Sequence, residues 1–234
     1  MSVELFKKEL KKKASKEKAI ILARFFKTGP GHYGEGDKFL GVTVPDVRTV
    51  VNQFADLSLG DLQKLLNSPY HEERLGGLLA AVAKFGRADQ KMQKDIYNFY
   101  LKNTRKINNW DLVDLTAEKI IGQYLEGKDK KILFKLAKSK NLWEKRIAIL
   151  STFHYIKKGK SELTFQIAKI LLDDEHDLIH KAVGWMLREV GKRCGEEEEK
   201  FLKKYYRRMP RTMLRYAIER FEGNKRLKYL KSVI

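Results

Sequence analysis

Seven consecutive residues carry the chemistry that this sequence offers most plainly: Asn108, Asn109, Trp110, Asp111, Leu112, Val113 and Asp114. The run reads as a helix start. Asn108 or Asn109 serves as N-cap, and Asp111 and Asp114 fall in the first turns, where a carboxylate suits the positive end of the helix dipole. Trp110 and Asp114 are four residues apart and therefore share one helix face. An aromatic plane beside a carboxylate, on a basic chain, suits a cationic or sugar-like group on DNA. The structural alternative is ordinary. An Asp in a first helical turn is commonly a cap or a dipole partner, and a Trp is commonly core.

The elements that must position these residues are bounded by composition. A chain of 234 residues, 43% of them hydrophobic, is long and apolar enough for one ordinary domain or one elongated repeat array, and it is not a disordered tail. The formal charge is +19 and the isoelectric point about 9.8. Charge that far from zero bears on partners and solubility rather than on fold. Nucleic acid is the commonest polyanionic partner; a membrane surface and an acidic protein are the alternatives. The single cysteine, Cys194, has no disulfide partner and no metal-ligand companion at useful spacing, which points to a reducing compartment. The lysines near the N-terminus lack the apolar run of a secretory signal, and no apolar stretch reaches the length of a membrane span. The expectation is a soluble, cytoplasmic monomer without metal or cofactor.

Residues from about Val3 to Lys27 read as a lysine-rich amphipathic helix, broken once, and lead into a glycine-rich loop from Gly29 to Gly36. Gly29, Gly31 and Gly34 match GxGxxG in form only. A helix precedes them where a dinucleotide fold needs a strand, and no Gly-Lys-Ser/Thr follows. The loop must bend sharply and is placed to border a site. Beyond Pro45 nearly everything reads helical. Apolar residues recur at three and four, as in Val47, Val50, Val51 and Phe54, and in Leu62, Leu65 and Leu66. No period-2 strand stands out. The four prolines, Pro30, Pro45, Pro69 and Pro210, fall at element boundaries. Ser58 and Ser161 read as N-caps, and Gly86, Gly127, Gly159 and Gly195 as helix stops.

The helices repeat. Segments starting at Arg74, Asp111, Arg146, Lys181 and Arg211 align, with starts 37, 35, 35 and 30 residues apart. A second, more polar helix follows each. Helix pairs at this period predict an all-α chain, an α-solenoid of HEAT-like antiparallel pairs with a concave basic groove. One domain spans residues 1–234, with the N-terminal helix and glycine-rich loop over about 1–45 and repeats over about 46–234.

The fourth position of each segment is Gly77, Asp114, Ile149, Gly184 and Leu214, small or apolar everywhere except Asp114. An unpaired carboxylate where the others pack costs on the order of kcal/mol, so its presence asks for a reason. The position before each segment is Glu73, Trp110, Lys145, His180 and Pro210, mostly polar and expected to be exposed or to line the groove. Trp185 stands where the other segments have Leu78, Leu115 and Leu150, and spacing alone assigns it to the core. Trp143 reads as packing. The first position is often basic (Arg74, Arg146, Lys181, Arg211), a stripe that could track phosphates, and Lys181, Trp185 and Arg188 share a helix face. The stretch from Lys200 onward is rich in Lys and Arg with interleaved tyrosines, Tyr205, Tyr206, Tyr216 and Tyr229, which either stack on bases or pack. Glu196 to Glu199 suit the start of a helix. The histidines fall in no metal or triad spacing.

Four segments resemble the AlkD family of DNA alkylation repair proteins: Phe39 to Arg48, Asn109 to Asp114, Leu142 to Leu150 and Lys181 to Glu189. The resemblance covers nearly the whole chain in order. It implies a HEAT-like α-solenoid acting as a monofunctional glycosylase on alkylated purines, chiefly 7-methylguanine and 3-methyladenine, in double-stranded DNA. Asp114 matches the family's catalytic aspartate. Trp110 and Trp185 match the two tryptophans that hold the deoxyribose and backbone of the lesioned nucleotide, which for Trp185 overrides the core assignment. Arg146 matches the family's arginine at that place, and Lys181 and Arg188 join it as expected DNA contacts. The glycine-rich loop is longer than in the family, so no lesion contact is carried over to the N-terminal helices. Two other readings remain open: a non-catalytic HEAT-like protein binding damaged or branched DNA, and a protein-binding solenoid scaffold.

Overall fold

Ser2, Ser15, Thr43 and Ser58 each stand one residue before a helix, and each side chain accepts a hydrogen bond from the amide three residues on. These caps satisfy amides that a helix start leaves without a partner, and they set where the first four helices begin. At Ser58 the cap is reciprocal, since Asp61 reaches back to the Ser58 amide. The computed structural model describes residues 2–234. Among these the chain is all-α, built of helix pairs and without strands; one isolated bridge joins Lys38 to Tyr70. It folds as two compact units, one ending at Thr116 and one running Ala117–Ile234.

The first unit contains α1 (Val3–Lys12), α2 (Lys16–Phe25), α3 (Val44–Gln53), α4 (Leu59–Leu66), α5 (His71–Phe85), α6 (Gln90–Lys102) and α7 (Trp110–Asp114). The expected single break in the N-terminal helix falls between α1 and α2, where Ser15 starts the second helix and its amide donates to the Leu40 carbonyl at 3.0 Å. Helix α5 is the hub, packing on α3, α4, α6 and α7, while α1 packs on α3 and α4. Its residues from His71 to Ala81 are all buried, charged ones included. Phe6, Leu10, Val47, Leu62, Leu65, Leu75 and Leu78 make the core around it. Helix α2 buries none of its residues, and Ile20, Ile21 and Phe25 are more than half exposed.

The second unit opens with a π-helical turn, Glu118–Gly122, followed by α8 (Lys131–Ala137), α9 (Leu142–Ser151), α10 (Phe153–Ile156) and α11 (Glu162–Ile170). Then come α12 (Asp177–Gly191), α13 (Gly195–Tyr205), α14 (Arg211–Ala217), a 3-10 turn and α15 (Gly223–Leu230). Helix α12 is the hub here, packing on α9, α10, α11, α13 and α14. The contact with α14 is close because position 184 is glycine. A Cβ there would lie 2.4 Å from the Met213 carbonyl oxygen and 2.5 Å from Tyr216 Cβ. Gly184→Ala is therefore expected to lower stability by about 1–3 kcal/mol through overpacking, read as a fall in the denaturation midpoint. An unchanged midpoint would mean that the α12–α14 approach has slack.

All five repeat segments start on helices, α5, α7, α9, α12 and α14, but α7 ends at Asp114, halfway through the segment that starts at Asp111. Gly77, Ile149, Gly184 and Leu214 at the fourth position are buried, and Asp114 alone is half-buried. Other expectations need correction. Gly195 starts α13 instead of ending α12, because the acidic run behind it suits a helix start. Ser161 stands at the N-cap of α11, but its hydroxyl donates to Glu197 and caps nothing. The position before each segment is not an exposed one. Glu73 is 2% exposed and paired with Lys7 at 3.0 Å, Lys145 pairs with Asp174, and His180 donates to the Asp174 carbonyl.

Candidate functional site

Helix α7 is five residues long, too short to hold itself, and its side chains tie it down. Asn109 is the N-cap: its Oδ1 accepts from the Trp110 amide at 2.8 Å, and its Nδ2 donates to Asp37 at 3.3 Å. Asp111 turns inward. Its Oδ1 accepts from the Leu112 amide at 2.8 Å, and its Oδ2 accepts from His71 Nε2 at 2.8 Å. Trp110 and Asp114 are left half-buried on the same short helix. Tyr100, which feels the Asp114 charge, is fully buried, with its hydroxyl 2.9 Å from Thr116 Oγ1. The Tyr100 hydroxyl is pushed well above its usual range, by burial first, against the Thr116 hydrogen bond and with the Asp114 charge adding to the rise.

A four-charge network supports this helix. His71 donates from Nε2 to Asp111 and from Nδ1 to Asp37 at 3.3 Å, and Arg74 donates to Asp37 at 2.7 Å and to the Ser68 carbonyl at 3.1 Å. The side chains of His71, Asp37, Asp111 and Arg74 are at most 7% exposed. Burial disfavours the charged imidazole, but the Asp111 and Asp37 carboxylates outweigh it and raise the His71 pKa to about 9. Asp37 is held below the usual carboxylate range: burial opposes this, and His71 and Arg74 overcome it. A histidine whose pKa is raised on folding stabilises most below its unfolded value and loses that contribution as pH rises through the folded value. Stability is thus expected to fall between about pH 6.5 and pH 9, a slope that thermal unfolding across that range would read and that His71→Gln would flatten.

An aromatic pile continues from the network to Trp110. The His71 ring stacks on Phe39 at 4.7 Å between centroids, Phe39 on Phe26 at 5.2 Å, and Phe26 on Trp110 at 5.1 Å with 20° between planes. The exposed Phe25 meets Trp110 edge-on at 5.7 Å. The glycine-rich loop delivers Asp37 and Phe39 into this cluster. Gly31 and Gly36 take positive φ, and a side chain on Gly34 would sit 2.3 Å from the Phe26 carbonyl oxygen. The loop thus joins Phe26, in the pile, to Asp37, in the network, and α2 runs before it where a dinucleotide fold would place a strand.

In the second unit, α12 carries three of the expected residues on one face. Trp185 is half-buried, not core; its Nε1 donates to Glu189 at 3.3 Å, and its ring lies 6.0 Å from Phe153. Glu189 is buried and also takes Lys192 and Arg193. Burial raises its pKa, but these two cations bring it below the ordinary value. Lys181 pairs with Asp177 at 2.7 Å and Arg188 with Glu219, both part-exposed pairs that contribute little to stability. Arg146 on α9 is 5% exposed, and its guanidinium donates to the Leu178 carbonyl in the first turn of α12. The basic first position is therefore not a uniform surface stripe: Arg74 and Arg146 point into protein, Lys181 is half-buried and Arg211 is exposed. Trp143 is buried, as packing requires.

Trp110 and Asp114 share α7, and Lys181, Trp185 and Arg188 share α12. Sequence reasoning missed Asp37, His71, Phe26, Phe39 and Glu189. Two had a signal nearby: Glu189 lies four residues beyond Trp185, and Phe39 opens one of the segments that carry the family resemblance. Among the described residues no cluster of His, Cys, Asp and Glu is arranged to hold a metal, and no helix is long and apolar enough to cross a membrane.

Residues 6–221 match the family model described as DNA alkylation repair enzyme. A solved structure, a predicted DNA alkylation repair enzyme from Enterococcus faecalis, superposes with a TM-score of 0.69 at 16% identity, over 90% of this chain and 98% of that one. At that identity the likeness is one of fold. A search of curated proteins gives no match. With the family matched over nearly its whole length, this chain belongs to the DNA alkylation repair enzymes.

Proposed function

We propose that the protein is a monofunctional DNA glycosylase that releases cationic alkylated purines, 7-methylguanine and 3-methyladenine, from duplex DNA and leaves an abasic site. The observation that carries this reading is Asp114: a half-buried carboxylate, beside a half-buried tryptophan, at a position the other repeat segments fill with small or apolar buried residues. Family membership supplies DNA and alkylation damage as the context.

Alkylation at N3 or N7 makes the purine cationic, so it departs with the bonding pair as a neutral base. The enzyme then has little need of a general acid, unlike a glycosidase with two carboxylates. It must stabilise the sugar as it becomes oxocarbenium-like and admit water to C1′. In this reading Asp114 places negative charge where positive charge develops. Water adds its oxygen to C1′, and its proton passes to Asp114 or to solvent. Trp110 and Trp185 offer faces that favour cations and sugar C–H edges, worth about 0.5–2 kcal/mol each. Lys181 and Arg188 exchange their surface carboxylates for phosphates. Arg146 holds the start of α12 through Leu178, and touching a phosphate requires it to give up that hydrogen bond. With no lysine identified for a Schiff base, the strand is left uncut. The enzyme acts as a monomer without a cofactor.

Release of free 7-methylguanine from methylated duplex DNA, followed by mass spectrometry against a no-enzyme blank, tests the proposal. Release faster than the blank supports it. Release at the blank rate with DNA still bound overturns catalysis and leaves a DNA-binding protein.

A further inference from the structure

We infer that His71 is a positioning residue for Trp110: its doubly engaged imidazole locks the first turn of α7 to the segment that follows the glycine-rich loop, and so fixes the ring plane that Trp110 presents. What Trp110 does with that plane rests on the glycosylase reading; how it is held does not.

Three routes run from His71 to Trp110. The first is one hydrogen bond and one peptide link: Nε2 donates at 2.8 Å to Asp111, which follows Trp110 in the chain. The second passes through Asp37, which accepts from His71 Nδ1 and from Asn109 Nδ2, while Asn109 Oδ1 takes the Trp110 amide. The third is the ring pile, in which Phe26 lies 4.9 Å from His71 and 5.1 Å from Trp110. Both ring nitrogens are engaged and the side chain is 2% exposed, so His71 has no nitrogen left to take a proton from substrate or to bind a metal. Its reach into the reaction goes through Trp110.

The charges facing it account for a switchable hold. Asp37 comes from the loop segment, Asp111 from α7 and Arg74 from its own helix, and with His71 protonated the four sum to zero. The Asn109 amide and the Phe26 and Phe39 rings complete the surround, and neighbouring Glu72 turns instead to the Leu40, Gly41 and Val42 amides. Loss of the proton leaves one N–H for two carboxylates. One of them then faces a nitrogen lone pair in a buried site, an arrangement that opens one side of the network.

The test uses the indole N–H signals of the three tryptophans in the free protein, with the Trp110 signal identified by its loss in Trp110→Phe. In the wild type between pH 7 and pH 10, the Trp110 signal is expected to move in one transition with its midpoint near 9, the Trp143 and Trp185 signals not following it. In His71→Gln the signal is expected to be displaced already at pH 7 and to show no transition. With lesion-containing DNA, His71→Gln is expected to lose on the order of tenfold to a hundredfold in kcat with little change in KM. A wild-type Trp110 signal that ignores pH over this range overturns the inference, and that measurement stands even where His71→Gln does not fold. So does full kcat in a folded His71→Gln. If the wild type releases no base, the glycosylase reading fails, and the titration still decides whether His71 holds Trp110.

Discussion

Asp114→Asn is expected to abolish base release while leaving the fold and duplex affinity in place. The side chains are nearly isosteric, and position 114 is half-buried on a helix already fixed by Asn109 and Asp111, so the substitution removes charge rather than shape. A preorganised charge opposite a developing cation contributes on the order of 3–4 kcal/mol or more, about a hundredfold to a thousandfold in rate. Where this surface meets phosphates, removing the anion is expected to hold or slightly tighten DNA binding, because the repulsion it exerted is gone. Single-turnover release of 7-methylguanine, with duplex affinity measured at the same salt, separates the two effects. Equal loss of both would show that the variant damages the DNA-binding surface. Undiminished release would remove Asp114 from the mechanism. Tyr100 supplies an independent check: the Asp114 charge helps raise its pKa, so the neutral amide is expected to lower it.

How much of this was legible in the sequence follows the range of the interactions. Helix starts were visible because a cap and its amide are close in sequence: Ser58 with Asp61, three residues on, is a reciprocal cap in the structure, and Asn109 takes the amide of the next residue, Trp110, at α7. Asp114 was visible because the repeat supplies its own controls, four small or apolar residues against one carboxylate. The network behind it was not, since His71 lies 34 residues from Asp37 and 40 from Asp111, and no local pattern joins them. The same limit explains Arg74 and Arg146. A basic residue at a helix position looks like surface until the distant acceptor, Asp37 or the Leu178 carbonyl, is in place. Trp185 shows the reverse error. Leucines at its equivalent positions argued for core, but Glu189 draws the indole N–H and keeps the ring at the surface of the unit. Gly195 misled because the acidic run behind it, Glu196 to Glu198 in the first turn of α13, suits a helix start and outweighs the glycine.

Glu72→Ala is expected to destabilise the first unit by about 3–5 kcal/mol, a large share of the roughly 5–15 kcal/mol that holds a typical domain. Glu72 is 2% exposed at the start of α5, and its two oxygens accept from the Leu40 amide at 2.9 Å, the Gly41 amide at 2.8 Å and the Val42 amide at 3.1 Å. Those three amides have no helix or strand to pair them, since the segment between the loop and α3 is irregular. Its path is also fixed by Gly41, at φ 81°, where a Cβ would stand 2.0 Å from the Ser15 carbonyl oxygen. The carboxylate is therefore the acceptor for a backbone bend that cannot rearrange easily, and alanine leaves buried N–H groups without a partner. Asp37 and Phe39 lie just upstream on the same stretch, so its loosening reaches the His71 network and the ring pile beneath Trp110. Hydrogen exchange is expected to show the Leu40, Gly41 and Val42 amides losing protection before the core of α5, alongside a fall in Tm. Glu72→Gln, which keeps the shape and one acceptor oxygen, is expected to lie between the two. A Glu72→Ala variant as stable as the wild type would mean that these amides find water or another acceptor, and that the segment carrying Asp37 and Phe39 is held by something other than α5.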